Sequence, residues 1–330
     1  MRNWKLTMLS SGLGFILGCA VMLIIQQQVL NEARPVAQSK AQLSEIRTSF
    51  NYKFINPLLE CDDFAPSDLA KLKGLKTQLN NCISSRKAVG EVTDVAVYFR
   101  DLNNGPWIGI NEHQAFSPAS MLKVPIMMAV LKQAELNPGF IDKQVTLIVD
   151  DFDEFIPNIG DEITRVGDTY AIREWIHRMI VFSDNNAKNL LLRQLSNEQT
   201  NKGLWNSLGL SEPDGQTAPD FLSVKDYSGF FRLLYNATYL SKENSEWALE
   251  QLSKTRFQKG IRAVTPQNVQ VASKFGERGQ LDSDVKQLHE CGIVYLGSSP
   301  FLICVMTRGK DWDVQASVIQ EIAGIVYANR

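Results

Sequence analysis

The chain is 330 residues long, is 44% hydrophobic and carries 34 basic against 36 acidic side chains, enough apolar material for one large globular domain or a domain of two sub-lobes. Its net charge of -2 and the lack of any basic block able to follow a phosphate backbone exclude nucleic acid as a partner. The three histidines, His113, His177 and His289, are scattered without metal-ligand spacing, so neither a metal nor another cofactor is expected.

The first element is an apolar run from Thr7 to Ile25, nineteen residues without a charge, a length that suits a membrane-spanning helix. Arg2 and Lys5 precede it with no acidic residue between them. Residues 1–6 are therefore expected to be a cytoplasmic tail and residues 7–25 a single-pass plasma-membrane anchor, with everything later in the chain outside. A cleaved signal peptide, or a lipoprotein signal ending at Cys19, fits less well, because the run continues to Ile25 and no small-x-small site follows it. Residues 26–65 are polar, with few periodic apolar positions, and read as a stalk. Outside the membrane disulfides persist. Cys61 and Cys82 flank a helical stretch and are candidates for a pair. Cys291 and Cys304 fall on one predicted hairpin, where counting outward from the turn at Gly297 to Pro300 makes them diagonal rather than opposite; free buried thiols are the equal alternative.

Residues 66–330 read as the catalytic domain. Behind Ser67 as N-cap, Leu69, Leu72, Leu75, Leu79 and Ile83 recur at helical spacing. Val92 to Phe99 and Trp107 to Ile110 read as strands joined by a turn at Asn103-Asn104-Gly105. Met121 to Leu131 is apolar at nearly every position but Lys123, the signature of a helix buried on all sides. From about 137 to 255 the pattern is mostly helical: Ile172, Ile176 and Ile180 share a face, and runs from Ala187 to Leu195 and from Val224 to Tyr235 follow. Strand patterns return at Val269 to Phe275, Ile293 to Leu296 and Phe301 to Thr307, and a closing helix carries Val314, Val318, Ile322 and Ile325 on one stripe. Strands at both ends with helices between them predict an α+β fold, an antiparallel sheet built from both ends of the domain, flanked by helices and carrying an inserted all-helical lobe.

A serine and a lysine three apart on a helix share a face, and the amine becomes a useful base once burial lowers its pKa. The spacing occurs at Ser84/Lys87, Ser120/Lys123 and Ser283/Lys286. The first and last are followed by charged or polar residues, whereas Ser120 opens the most apolar helix, whose start offers backbone N–H groups to an oxyanion. Sixty-three residues on, Ser183-Asp184-Asn185 opens another helical run; alone it is a good N-cap. Ninety-one residues further, Lys274-Phe275-Gly276 ends a strand.

These three elements, in this order and on these structures, resemble the class A β-lactamase and penicillin-binding families, and FSPASMLKVP around Ser120 and FSDNNAKNLLL around Ser183 are close to the class A text. The resemblance implies Ser120 as acylated nucleophile, Lys123 as its proton acceptor, Ser183 as donor to the leaving nitrogen and Asn185 as holder of substrate and Lys123. Lys274 would face the substrate carboxylate. The oxyanion hole would be the N–H groups of Ser120 and Glu277, the residue after Gly276. Two features depart from the pattern. Phe275 stands where the family has Thr or Ser, so Phe275→Thr is expected to improve penicillin acylation about tenfold by restoring one charge-assisted hydrogen bond. The only match to the family's deacylating glutamate is Glu212, in Glu212-Pro213-Asp214-Gly215-Gln216 on a shortened loop; a plain Pro-Asp-Gly turn is an equal reading. The functions left open are a β-lactamase acting on small β-lactams, a peptidase or transpeptidase acting on peptidoglycan stem peptides with slow β-lactam turnover, and a retired binding protein on the same fold, against which the intact Ser120, Lys123, Ser183 and Asn185 speak.

Overall fold

Five antiparallel strands, two from the start of the domain and three from its end, form one sheet: β1 (Val92–Asp101), β2 (Trp107–Ile110), β3 (Gln270–Gln280), β4 (Ser283–Tyr295) and β5 (Phe301–Gly309), in the spatial order β2-β1-β5-β4-β3. This computed structural model describes residues 46–47, 52–60, 66–103, 105–149, 164–195, 198–280 and 283–330. The chain divides into two units, residues 1–42 and 43–330, and only the second contains described residues. The apolar run at 7–25 and Cys61 lie outside them, as does Asn104 of the expected turn. Among the described residues no helix is long and apolar enough to cross a membrane.

Side chains alternate between the two faces of the sheet with period two. Val95, Val97 and Phe99 of β1 pack with Ile303 and Val305 of β5 against the terminal helices α1 (Pro66–Ala88) and α8 (Trp312–Ala328). Ala96 and Tyr98 join Leu302, Cys304 and Met306 in a second core beneath the helical lobe. With both faces covered, β1 is buried at five consecutive positions, which is why it reads as a continuous apolar run. The lobe is centred on α2 (Lys123–Leu136), with α3 (Ile172–Val181), α4 (Asn185–Gln194), α5 (Glu198–Ser207), α6 (Val224–Tyr235) and α7 (Lys242–Ser253). Asp184, Ser223, Ser241 and Asp311 cap α4, α6, α7 and α8 through their side-chain oxygens.

Three expectations are corrected. Helix α1 already includes Pro66, so Ser67 lies inside the helix, and proline suits the first turn because its missing N–H would have had no partner there. Strand β4 starts at Ser283, ten residues before Ile293, because its outer half is polar yet paired, with β5 from Lys286 onward and with β3 from Gln287 onward. Val294 pairs with Phe301 and the loop runs over 296–300, so Cys291 and Cys304 are directly opposite rather than diagonal, and they are joined as a disulfide. Cys82 is a buried free thiol whose pKa is pushed up to about 12, mainly by burial.

Candidate active site

Ser120 sits in the 3-10 turn Ala119–Leu122 that runs straight into α2. Ala119 holds φ at 48°, a region that residues with a Cβ avoid, so the turn must be braced from outside. The brace comes from β3 and β4. Arg278 Nη1 donates to Ser117 Oγ at 2.8 Å, His289 Nε2 donates to Ser117 O at 3.0 Å, and Ser117 N donates to Gln287 Oε1 at 3.1 Å. Thr307 N donates to His289 Nδ1 at 3.2 Å, which assigns the imidazole proton to Nε2, and burial pushes this histidine down to about 4. On the other side Tyr227 donates its hydroxyl to Met121 O at 2.9 Å.

Lys123, the first residue of α2, has no exposed surface. Its Nζ lies 3.0 Å from Ser120 Oγ, 3.0 Å from Ser183 Oγ and 2.8 Å from Asn185 Oδ1, and also contacts Ser183 O. Burial, followed by the nearby Lys274 and Lys188, holds the amine well below the ordinary lysine range, so a lone pair is available beside the serine. Ser183 adopts φ 58°, which turns its hydroxyl into the site just before Asp184 caps α4 through Ala187 N at 3.0 Å. Asp184 Oδ2 accepts from Thr164 Oγ1 at 2.8 Å, so its own charge is spent on structure.

Lys274, also fully buried, donates from Nζ to Ser183 Oγ at 3.0 Å and to Phe275 O at 3.1 Å. Burial lowers it to about 7, against the pull of Glu277 and Glu290. The Ser183 hydroxyl therefore lies between two amines. A Cβ added to Gly276 would meet Pro118 O at 2.6 Å, so glycine is what lets the edge strand β3 approach the turn that carries Ser120. Glu277 follows it, half-buried, with its carboxyl raised by burial.

The structure thus brings together Ser120, Lys123, Ser183, Asn185, Lys274 and Gly276. Glu212 lies half-buried just before an Asp-centred turn at 214–217, in which Gln216 N donates to Asp214 Oδ1 at 2.9 Å. Phe275 corrects the view of it as a lost substrate contact. It is 4% exposed, lies on the α8 face of the sheet and stacks on Phe257 with ring centroids 4.4 Å apart, so it is core. Ser84 and Lys87 are exposed on α1, and Ser283 and Lys286 lie on a strand, where three-residue spacing puts them on opposite faces. Sequence reasoning missed His289, Gln287, Ser117 and Tyr227; the signal for the first two was polar residues inside a strand paired on both sides.

A family model described as "Beta-lactamase enzyme family" matches residues 74–329. Similar solved structures include a class A beta-lactamase from Mycobacterium abscessus, 22% identical, TM-score 0.63, over 76% of this chain and 97% of that one. A beta-lactamase from Chitinophaga pinensis is 20% identical with TM-score 0.66, over 77% and 98%. A point mutant of PBP-A, solved as an acyl-enzyme complex with penicillin G, is 20% identical with TM-score 0.64, over 78% and 96%. No curated protein matches the chain.

Proposed function

The chain belongs to the beta-lactamase enzyme family, and from that premise we propose that it is a serine β-lactam hydrolase that works through an acyl-enzyme on Ser120. The observation that carries this reading is the reach of one buried amine, held well below the ordinary lysine range by burial, to both serines, with Lys123 Nζ 3.0 Å from Ser120 Oγ and 3.0 Å from Ser183 Oγ. Ser120 Oγ attacks the lactam carbonyl carbon while its proton passes to Lys123 Nζ. The negative charge that develops on the carbonyl oxygen is met by the N–H groups of Ser120 and Glu277, kept close by the Gly276 contact. When the C–N bond breaks, Ser183 gives its proton to the leaving nitrogen and is reprotonated from Lys123, which restores the amine and leaves an ester on Ser120. Water then cleaves the ester. Asn185 orients Lys123, and Lys274 supports the Ser183 hydroxyl.

Deacylation is the slower half in this proposal. A water needs a base within hydrogen-bond reach, and Glu212, the candidate by motif, sits on a shortened loop beside an Asp-centred turn. That same observation favours a second reading, in which the acylation machinery serves a peptidoglycan stem peptide. The test is a fluorescent penicillin: wild type is labelled, Ser120→Ala is not, and Lys123→Ala is labelled far more slowly. Undiminished labelling of Ser120→Ala excludes the assigned nucleophile. We also propose that residues 7–25 anchor the domain outside the plasma membrane, supported by the uncharged run and by Arg2 and Lys5 before it. Full-length protein should sediment with membranes; a soluble form starting near residue 30 contradicts the anchor.

A further inference from the structure

Glu290 is a fully buried acid that takes no part in the acylation steps. On β4 it pairs with Phe275, next to the pair of Cys291 with Lys274, so it stands one strand over and one residue along from the lysine of the site, on the opposite face of the sheet. Its carboxylate is held at both oxygens: Ser273 Oγ donates to Oε1 at 2.8 Å and Ile261 N donates to Oε2 at 2.6 Å. A Cβ on Gly260 would lie 1.8 Å from Oε2, so only glycine lets the segment before the 3-10 turn Ile261–Val264 close on the acid. Ser273 directly precedes Lys274, so the same grip fixes the stretch of β3 that aims Lys274 Nζ at Ser183 Oγ. Two hydrogen bonds alone leave a buried charge costly, and Glu290 makes no ion pair among the described residues. The cation that bears on it is Lys274: burial pushes the carboxyl up to about 7, against Ile261 N–H, the Ser273 hydroxyl and Lys274. Lys274 in turn, lowered by burial, is raised by Glu277 and then Glu290, with Lys123 as the neighbouring amine. Glu277 is only half-buried at the sheet edge, where water screens it. Other charges on the elements packed here are spent elsewhere, Lys259 on Asp313, Glu250 on Lys254, and Arg308 on Asp94 and Asp220.

We propose that Glu290 is a positioning residue for acylation, which supplies from behind the sheet the buried countercharge that keeps Lys274 protonated and donating to Ser183 Oγ. The proposal deepens the acyl-transfer reading and rests on it, since Lys274 matters to the reaction by supporting the Ser183 hydroxyl. Glu290 touches neither substrate nor reacting atoms; it acts through Lys274 alone.

The pair is read first without substrate, by NMR titration of protein labelled with carbon-13 at lysine Cε and glutamate Cδ. Glu290→Gln should lower the Lys274 midpoint by about one pH unit, the effect of one unlike charge about 10 Å away at an effective dielectric of about 20. Coupling is reciprocal, so Lys274→Met should raise the Glu290 midpoint by the same amount, and this arm stands even if Glu290→Gln does not fold. The rate of fluorescent-penicillin labelling against pH then reads the role. Its alkaline limb should move to lower pH in Glu290→Gln by the shift seen at Lys274, whereas Glu290→Asp, which keeps the charge, should hold the limb near its wild-type place. Loss of a packed side chain alone would lower Tm and leave the limb where it was. Midpoints that do not move, or a Lys274 midpoint that moves while the limb stays, overturn the proposal. A wild type that penicillin does not label is a failure of the acyl-transfer reading, and the substrate-free midpoints separate that result from a failure of the pair.

Discussion

Gly276→Ala isolates the contact between the edge strand and the nucleophile's turn. The new Cβ would lie 2.6 Å from Pro118 O, 2.8 Å from Met121 Cγ and 3.1 Å from Met121 N, whereas real Cβ atoms essentially never come within 3.0 Å. Met121's side chain can turn aside, but the two backbone atoms are tied to each other, with Met121 N donating to Pro118 O at 2.9 Å. Relief therefore means moving β3 and the turn apart by about 0.4 Å, from 2.6 to 3.0 Å at the closest point. Oxyanion donors work within about 2.7–3.1 Å, and losing one outright costs about 100- to 1000-fold, so partial displacement should slow acylation by about 10- to 100-fold. Overpacking of this size should destabilise by about 1–3 kcal/mol, a fall in Tm of several degrees for a domain of this length. The assay is the rate of fluorescent-penicillin labelling under single-turnover conditions, with thermal unfolding in parallel. A folded Gly276→Ala protein that acylates at the wild-type rate would refute the placement of the oxyanion strand.

Phe275→Thr should cost roughly 3 kcal/mol and lower the urea midpoint without improving acylation, because it empties a core site and breaks the Phe257 stack; faster acylation by this variant would return the residue to the substrate pocket. Lys274, brought down to about 7, loses its charge as pH rises through neutrality, so acylation should show an alkaline limb near there that Lys274→Arg, charged throughout, does not share; identical profiles would free Lys274 of that role. Burial holds His289 at about 4 against an ordinary 6.5, so the folded state binds fewer protons than the unfolded one in this window. The stability this contributes is complete above 6.5 and is lost as pH falls toward 4, roughly 3 kcal/mol in all. Acid unfolding of His289→Gln should be correspondingly flatter, and an unchanged pH dependence would argue against the neutral buried imidazole.

The clustering of Ser120, Lys123 and Ser183 was legible because the chemistry of these residues conflicts with their surroundings. A lysine in an unbroken apolar helix signals a buried amine, and Lys123 is fully buried against Ser120. The layout of sheet and lobe followed from periodicity, since strands with both faces covered read as apolar runs. The bracing of the turn was not legible. Ala119 and Ser183 carry positive φ without glycine to announce it, and the outer half of β4 lacks the alternation that marks a strand because its buried side chains, Gln287, His289 and Glu290, are polar and satisfied by tertiary partners. Phe275 was misjudged because a motif fixes the residue's place on the strand but not which face its neighbours cover; Phe257, eighteen residues earlier, decides that. Cys291 and Cys304 turned on the length of one loop.

The central claim, that Ser120 forms an acyl-enzyme whose hydrolysis is slower than its formation, is tested most directly by incubating the domain with penicillin and following its intact mass over time. One penicilloyl adduct should appear, map to Ser120 and persist for many turnovers' worth of a fast enzyme, and any slow turnover should fall further in Glu212→Gln. An adduct on another residue, or no detectable adduct, whether penicillin is lost rapidly or not at all, would contradict the account.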